Sequence, residues 1–284
     1  MQKRAVIILI CTLLMLSLPN RIAAQQAEND VLYFAPLPMS ATKISIIKTQ
    51  PIANYLSQKL QRPVVPKLYR SYDEIIQAFL AGEVHLLELG PRPFIELQSH
   101  TQDATALASI NQDANNSYYQ CVLAAPMDGV QHLSDIKHPK TTKVALTQPL
   151  STCGPLLTQY LLQQNKINLS NMPHQFLGSH EEVALALIRN EYAIGGVAKF
   201  IAERYHGLGL NILTTSPALP AFMVVANSQK LDPKELELIK QSLLSYQSNN
   251  TGIGKHGFSQ VDTEAIEAFR AFAKQIDPSI QEAK

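Results

Sequence analysis

Short apolar runs alternate with longer amphipathic stretches along most of the chain. Val31-Leu-Tyr-Phe-Ala35 reads as a strand ended by Pro36, and Ile44 to Leu60 as a helix with a break or kink near Pro51. Pro63 to Leu68 and His85 to Leu89 are further strand candidates. Between them Tyr72, Ile75, Ile76, Phe79 and Leu80 share one face of a helix over 71–81, which Ser71 and Glu74 open as a capping box and Gly82 stops. Strands alternating with helices predict parallel βαβ units and an α/β fold.

A second series follows. Lys143-Val-Ala-Leu146 predicts a strand, then a helix from Pro155, a short strand around 175–177, a helix from the capping box Ser179 to Glu182, a strand over 193–197 and a short helix over 199–205. Uninterrupted apolar stretches at 118–125 and 221–226 fit extended crossovers. Asp232-Pro233 with Glu235 caps a helix to Tyr246, and Asp262 begins a last one ending near Ile276. The expected organisation is a split first lobe (30–116 and 226–284) around an inserted second lobe (117–225). Ligands of such open sheets bind beyond the carboxyl ends of the strands, here between the lobes.

That location holds Ser151-Thr-Cys-Gly154, which follows a strand and opens a helix. Free N–H groups and the positive end of the helix dipole suit a small anion there. Ser151 and Thr152 add hydroxyl donors and Gly154 permits close backbone approach; on its own, however, the motif reads first as a plain helix cap, and its placement after a strand is what favours the anion.

Composition narrows the function. Lys3 and Arg4 precede an apolar run from Ala5 to Leu18, and Pro19-Asn-Arg21 with Ala23-Ala24 complete the pattern of a cleavable export signal over 1–24. The run is short for a membrane span, which needs roughly 20 residues. Removing it leaves 260 residues and shifts the formal charge from +1 to −2, so no basic excess points to nucleic acid. Cys121 and Cys153 remain, able to pair in an oxidising compartment if geometry permits.

The chain resembles the periplasmic phosphonate-binding family of ABC-transporter substrate-binding proteins. The matching stretches are Pro51 to Leu60, Ser71 to Ile76, Ala81 to Val84 with Gly90-Pro91, Ser151 to Gly154, Gly178 to Glu181, and Ser216-Pro217. The resemblance implies a type II two-lobed binding fold, each lobe a mixed, mostly parallel sheet flanked by helices, with two hinge crossovers. It also implies an oxyanion held by Ser151, Thr152, Cys153 and Gly154, with His180 at the next helix start and Tyr72 closing from the first lobe. A protonated His180 would add a charge-assisted donor.

Three departures from the family pattern bear on the ligand. Cys153 stands where a serine is usual. Arg92 follows Gly90-Pro91 and could clamp an anion bidentately. The segment 193–199 lacks the acidic or amide side chains that would hold an aminoalkyl group, which, within the expected class of phosphonate, phosphite or phosphate, disfavours an aminophosphonate and favours a bare oxyanion such as phosphate or phosphite. The Cys153 thiol also raises an arsenite-like ligand as an alternative.

An enzyme would need Cys153 and His180 as nucleophile and base, with Glu181 or Glu182 orienting the imidazole, and nothing fixes such a third member. The expectation is a monomeric binder without a cofactor, serving an ABC permease or, alternatively, the outer domain of a sensor kinase.

Overall fold

The computed structural model describes residues 31–113, 116–248 and 251–283. The expected export segment, 1–24, lies outside them. β1 (Leu32–Ala35) leads into α1 (Thr42–Leu60), which buries Ser45, Thr49, Ile52, Ala53 and Leu56 at helical spacing. Pro51 sits inside α1 without ending it; the carbonyl it leaves without an N–H is that of Ile47, on the exposed face where water can take it. β2 (Val64–Pro66) precedes α2 (Tyr72–Leu80). The Ser71 hydroxyl accepts the Glu74 N–H at 3.1 Å, whereas the Glu74 carboxylate takes the N–H of Arg70 rather than that of Ser71. β3 (Leu86–Leu89), α3 (Pro91–His100) and β4 (Ala104–Ile110) complete the first pass.

The chain crosses through β5 (Tyr118–Tyr119) into β6 (Cys121–Pro126) and β7 (Val144–Leu146). A wide turn over Thr152–Leu156 runs into α4 (Leu157–Gln163), followed by β8 (His174–Phe176), α5 (His180–Ile188), β9 (Ile194–Ala198), α6 (Lys199–Tyr205) and β10 (Leu210–Thr215). It returns through β11 (Leu219–Pro220) to β12 (Met223–Asn227), α7 (Pro233–Leu244), β13 (Phe258–Ser259) and α8 (Thr263–Ile276).

Two sheets result, in the orders β13-β4-β12-β3-β1-β2 and β10-β6-β9-β7-β8, with β5 and β11 paired between them as an antiparallel ribbon. Each is mixed. β1 runs parallel to β2 and β3 while β12 is antiparallel to β3 and β4; β7 runs parallel to β8 and β9 while β6 is antiparallel to β9 and β10. The fold is the expected two-lobed α/β binding fold. Met223–Asn227 is fully buried in the middle of the first sheet, so the chain re-enters the first lobe ahead of the boundary expected at 226.

The second lobe is built tightly around its turn. Cys121, at the start of β6, is disulfide-bonded to Cys153, with Cα atoms 5.1 Å apart. A Cβ at Gly196 of β9 would overlap Thr158 Oγ1 and the Cys153 carbonyl. Packing therefore excludes a side chain at position 196, one of the residues of the 193–199 segment.

Candidate functional site

β7 ends at Leu146, and Ser151 caps the turn by accepting the Gly154 N–H on its hydroxyl at 3.2 Å. The Leu157 N–H then reaches back five residues to the Thr152 carbonyl, so the expected helix start is wider than an α-helical one. Thr158 Oγ1 ties down the Cys153 carbonyl at 3.1 Å. Thr152 and Cys153 open this helical run, where N–H groups have no intrahelical carbonyl to bond.

Ser151, Thr152, Cys153 and His180 of the second lobe line one small cavity with Tyr72 and Gly90 of the first lobe; Tyr119 of the crossover ribbon completes the polar wall. Leu37, Pro93 and Phe222 close it, leaving about 10 Å³. The Tyr72 hydroxyl interacts with that of Ser151, and the Tyr119 hydroxyl with that of Thr152. Burial pushes both phenols above their ordinary pKa, so both remain O–H donors. Gly154 lies behind the cavity, packed against Thr147.

One polarity runs through the second-lobe groups. Ser151 Oγ receives the Gly154 N–H, Thr152 Oγ1 receives the Arg92 N–H at 3.1 Å, and His180 Nδ1 receives the Ala198 N–H at 3.0 Å. Each backbone donor occupies a lone pair, which leaves the imidazole Nε2–H to donate. The Ser151 and Thr152 O–H protons are left to donate to the Tyr72 and Tyr119 hydroxyls or to an acceptor that displaces them. His180 is buried, and desolvation lowers its pKa to about 4. The expected imidazolium is therefore corrected to a neutral imidazole with its tautomer fixed by β9.

Two other expectations change. Arg92 does not line the cavity: its guanidinium pairs with Glu96 one turn along α3 at 2.7 Å, and it contributes its backbone N–H instead of a bidentate clamp. Cys153 carries no thiol in its disulfide with Cys121, which removes both the soft-ligand route to arsenite and the nucleophile of the enzyme reading. Glu181, the imagined orienter of the imidazole, instead accepts from Ser40 at 3.1 Å and from Arg204 at 3.2 Å.

Gln148 and Tyr119 are not among the residues expected from sequence. Gln148 Oε1 accepts the N–H of Tyr72 at 2.9 Å, capping α2 from the opposite lobe, while its Nε2 donates to the Gly178 carbonyl at 2.6 Å and the Pro38 carbonyl at 3.4 Å. Its place just after a strand and before Ser151 was the only available signal.

The sequence pattern of the family described as "ABC transporter, phosphonate, periplasmic substrate-binding protein" matches residues 34–274, from β1 into α8. Among solved structures, PhnD1 from Prochlorococcus marinus, in complex with methylphosphonate, superposes with a TM-score of 0.76 at 14% identity, covering 88% of this chain and 99% of that one. A binding protein component of an ABC phosphonate transporter from Pseudomonas aeruginosa gives 0.76 at 18% identity, covering 88% and 89%. A Xanthomonas citri protein bound to ATP gives 0.69 at 14%, covering 89% and 100%. At these identities the structures speak to the fold, and it is the sequence match over both lobes that decides descent. The chain belongs to the phosphonate-binding family of periplasmic substrate-binding proteins of ABC transporters, which are binders rather than enzymes.

Proposed function

We propose that the chain captures a small phosphorus oxyanion (phosphonate, phosphite or phosphate) in the cavity at the Ser151–Gly154 turn and delivers it to an ABC permease. The observation that carries this reading is the shared polarity of Ser151, Thr152 and His180, whose lone pairs hold backbone N–H groups while their protons stay available. An oxyanion is all acceptor, and this wall is all donor.

The Tyr72 and Tyr119 hydroxyls, facing Ser151 and Thr152, would turn to the same anion from the other side. No lining residue carries a full charge, so attraction comes from hydroxyl, imidazole and peptide dipoles in a water-excluded space. Ligand is held without covalent chemistry, and closure of the lobes on it favours the bound state. Export by the segment 1–24 predicts a mature protein beginning at Gln25, which N-terminal sequencing of periplasmic material checks.

Calorimetric titration with methylphosphonate, phosphite, phosphate and sulfate tests the reading directly. At least one phosphorus anion is expected to bind more tightly than sulfate. Replacing Ser151 and Thr152 together by Ala should weaken that binding by more than about 1 kcal/mol, roughly fivefold or more. Unchanged affinity in the double variant, or no binding of any phosphorus anion, would return the turn to a plain helix cap.

A further inference from the structure

Leu37 and Phe222, which wall the small cavity, also wall a second one of about 360 Å³ between the lobes. Small-molecule sites span roughly 300–1,000 Å³, so this space suits a substituent well beyond a methyl group. Lys48 of α1, Arg204 of α6 and Lys255 of the loop before β13 line it, together with Glu88 of β3 and the ring of Phe200.

The charges do not balance. Glu181 is committed to Arg204 and to Ser40. Lys48 Nζ donates to the Ser40 hydroxyl at 3.1 Å, and among the described residues no carboxylate pairs with Lys48 or Lys255. Glu88 accepts the Leu37 N–H at 3.2 Å, and removal from bulk water, despite the face it turns to the cavity, raises its pKa to about 7. Much of its charge is thus suppressed near neutral pH. Burial, then the nearby Arg204, lowers the Lys48 pKa, and the opposing pull of Glu181 and Glu88 does not offset them.

We propose that this second cavity is a subsite for an anionic substituent, a carboxylate or a second phosphoryl group, carried on the phosphonate or phosphate held at the turn. The proposal rests on the preceding reading of that turn. The spacer passes between Leu37 and Phe222, its methylenes lie against Phe200, and the distal anion meets Lys48, Arg204 and Lys255. An ammonium tail meets the same cations and is rejected.

Calorimetry at low ionic strength with methylphosphonate, propylphosphonate, phosphonopropionate and aminopropylphosphonate separates the possibilities. Phosphonopropionate should bind about tenfold or more tightly than the neutral-tailed propylphosphonate, and aminopropylphosphonate more weakly than either. Added salt should narrow the preference because the cations sit near solvent. Lys255→Met, at an exposed position, should cut the anionic-to-neutral affinity ratio at least about threefold, and Lys48→Met should do the same. Equal binding of the two tails, preference for the ammonium tail, or a ratio unmoved by both substitutions overturns the subsite while leaving the oxyanion reading standing. If no phosphonate binds, including methylphosphonate, the subsite falls, and the oxyanion reading falls with it only when phosphite and phosphate fail to bind as well.

Discussion

At Ser151, Thr152 and His180 the decisive neighbour is a backbone N–H, and each assigns a direction to a side chain that could otherwise donate or accept. The serine–threonine pair and the histidine were legible in the sequence as residue types. Their polarity was not, because it depends on β9, α3 and the turn meeting in space. Glu88 offers the clearest titration. Its folded pKa of about 7 lies above the ordinary 4.5, so the native state holds the proton more tightly than the unfolded chain. Its contribution is therefore complete below about pH 4.5 and is lost as pH rises through about 7. Glu88→Gln keeps an acceptor for the Leu37 N–H without a charge to desolvate. The variant should gain stability over the parent at about pH 8, with the gain shrinking toward about pH 5, as read by urea denaturation at both. A pH-independent difference would remove desolvation as the cause. His180 and His85, whose pKa values both fall to about 4, act in the opposite direction but are common to both proteins.

Among the elements, the disulfide has the largest mechanical consequence. It joins the start of β6 to the Ser151–Gly154 turn across 32 residues of chain. Loop-closure entropy for a span of that size gives about 3–4 kcal/mol. Replacing Cys121 and Cys153 together by Ser should cost about that much in urea denaturation, and reduction of the parent should cost the same; retention of full stability would mean that packing alone holds the turn. Helices α2, α5 and α7 were readable because Ser71, Ser179 and Asp232 announce them, and all three side chains do cap. α3, β4 and β10 were not read. In α3, Pro91 and Pro93 break up the helical pattern, and Ala104 to Ile110 is so rich in small residues that no apolar alternation stands out. β12 reads in the sequence as an apolar run fit for a crossover, since burial on both faces erases the alternation that would mark a central strand. The pairing of Cys121 with Cys153 was undecidable in sequence because it is set by where the turn lands on β6.

In the molecule as a whole, few polar contacts among the described residues span the cleft, and they converge on the elements of the proposed binding site. Tyr72 N–H to Gln148, Arg92 N–H to Thr152, Gln148 to the Pro38 carbonyl and Ser40 to Glu181 each join one lobe to the other. Two of them bond first-lobe helix starts to second-lobe side chains, so the N–H groups of Tyr72 in α2 and Arg92 in α3 keep these partners only while the lobes are together. Each such bond adds about 0.5–1.5 kcal/mol net, and a buried donor left unpaired costs about 1–3 kcal/mol. The proposed closing motion is thus biased toward the closed state by a few kcal/mol before ligand adds its own contacts, and Gln148 holds the largest share although it belongs to neither the turn nor the cavity wall. Gln148→Leu keeps the side chain's bulk but strands the Tyr72 N–H and the Gly178 carbonyl. It should widen the ligand-free particle in small-angle scattering and weaken binding of the best phosphorus anion by about tenfold, because ligand must then supply the closure energy that Gln148 no longer provides. At saturating ligand the scattering should return to the parental profile, which separates a shifted equilibrium from a damaged site. Parental scattering without ligand, together with parental affinity, would mean that the glutamine does no more than cap α2.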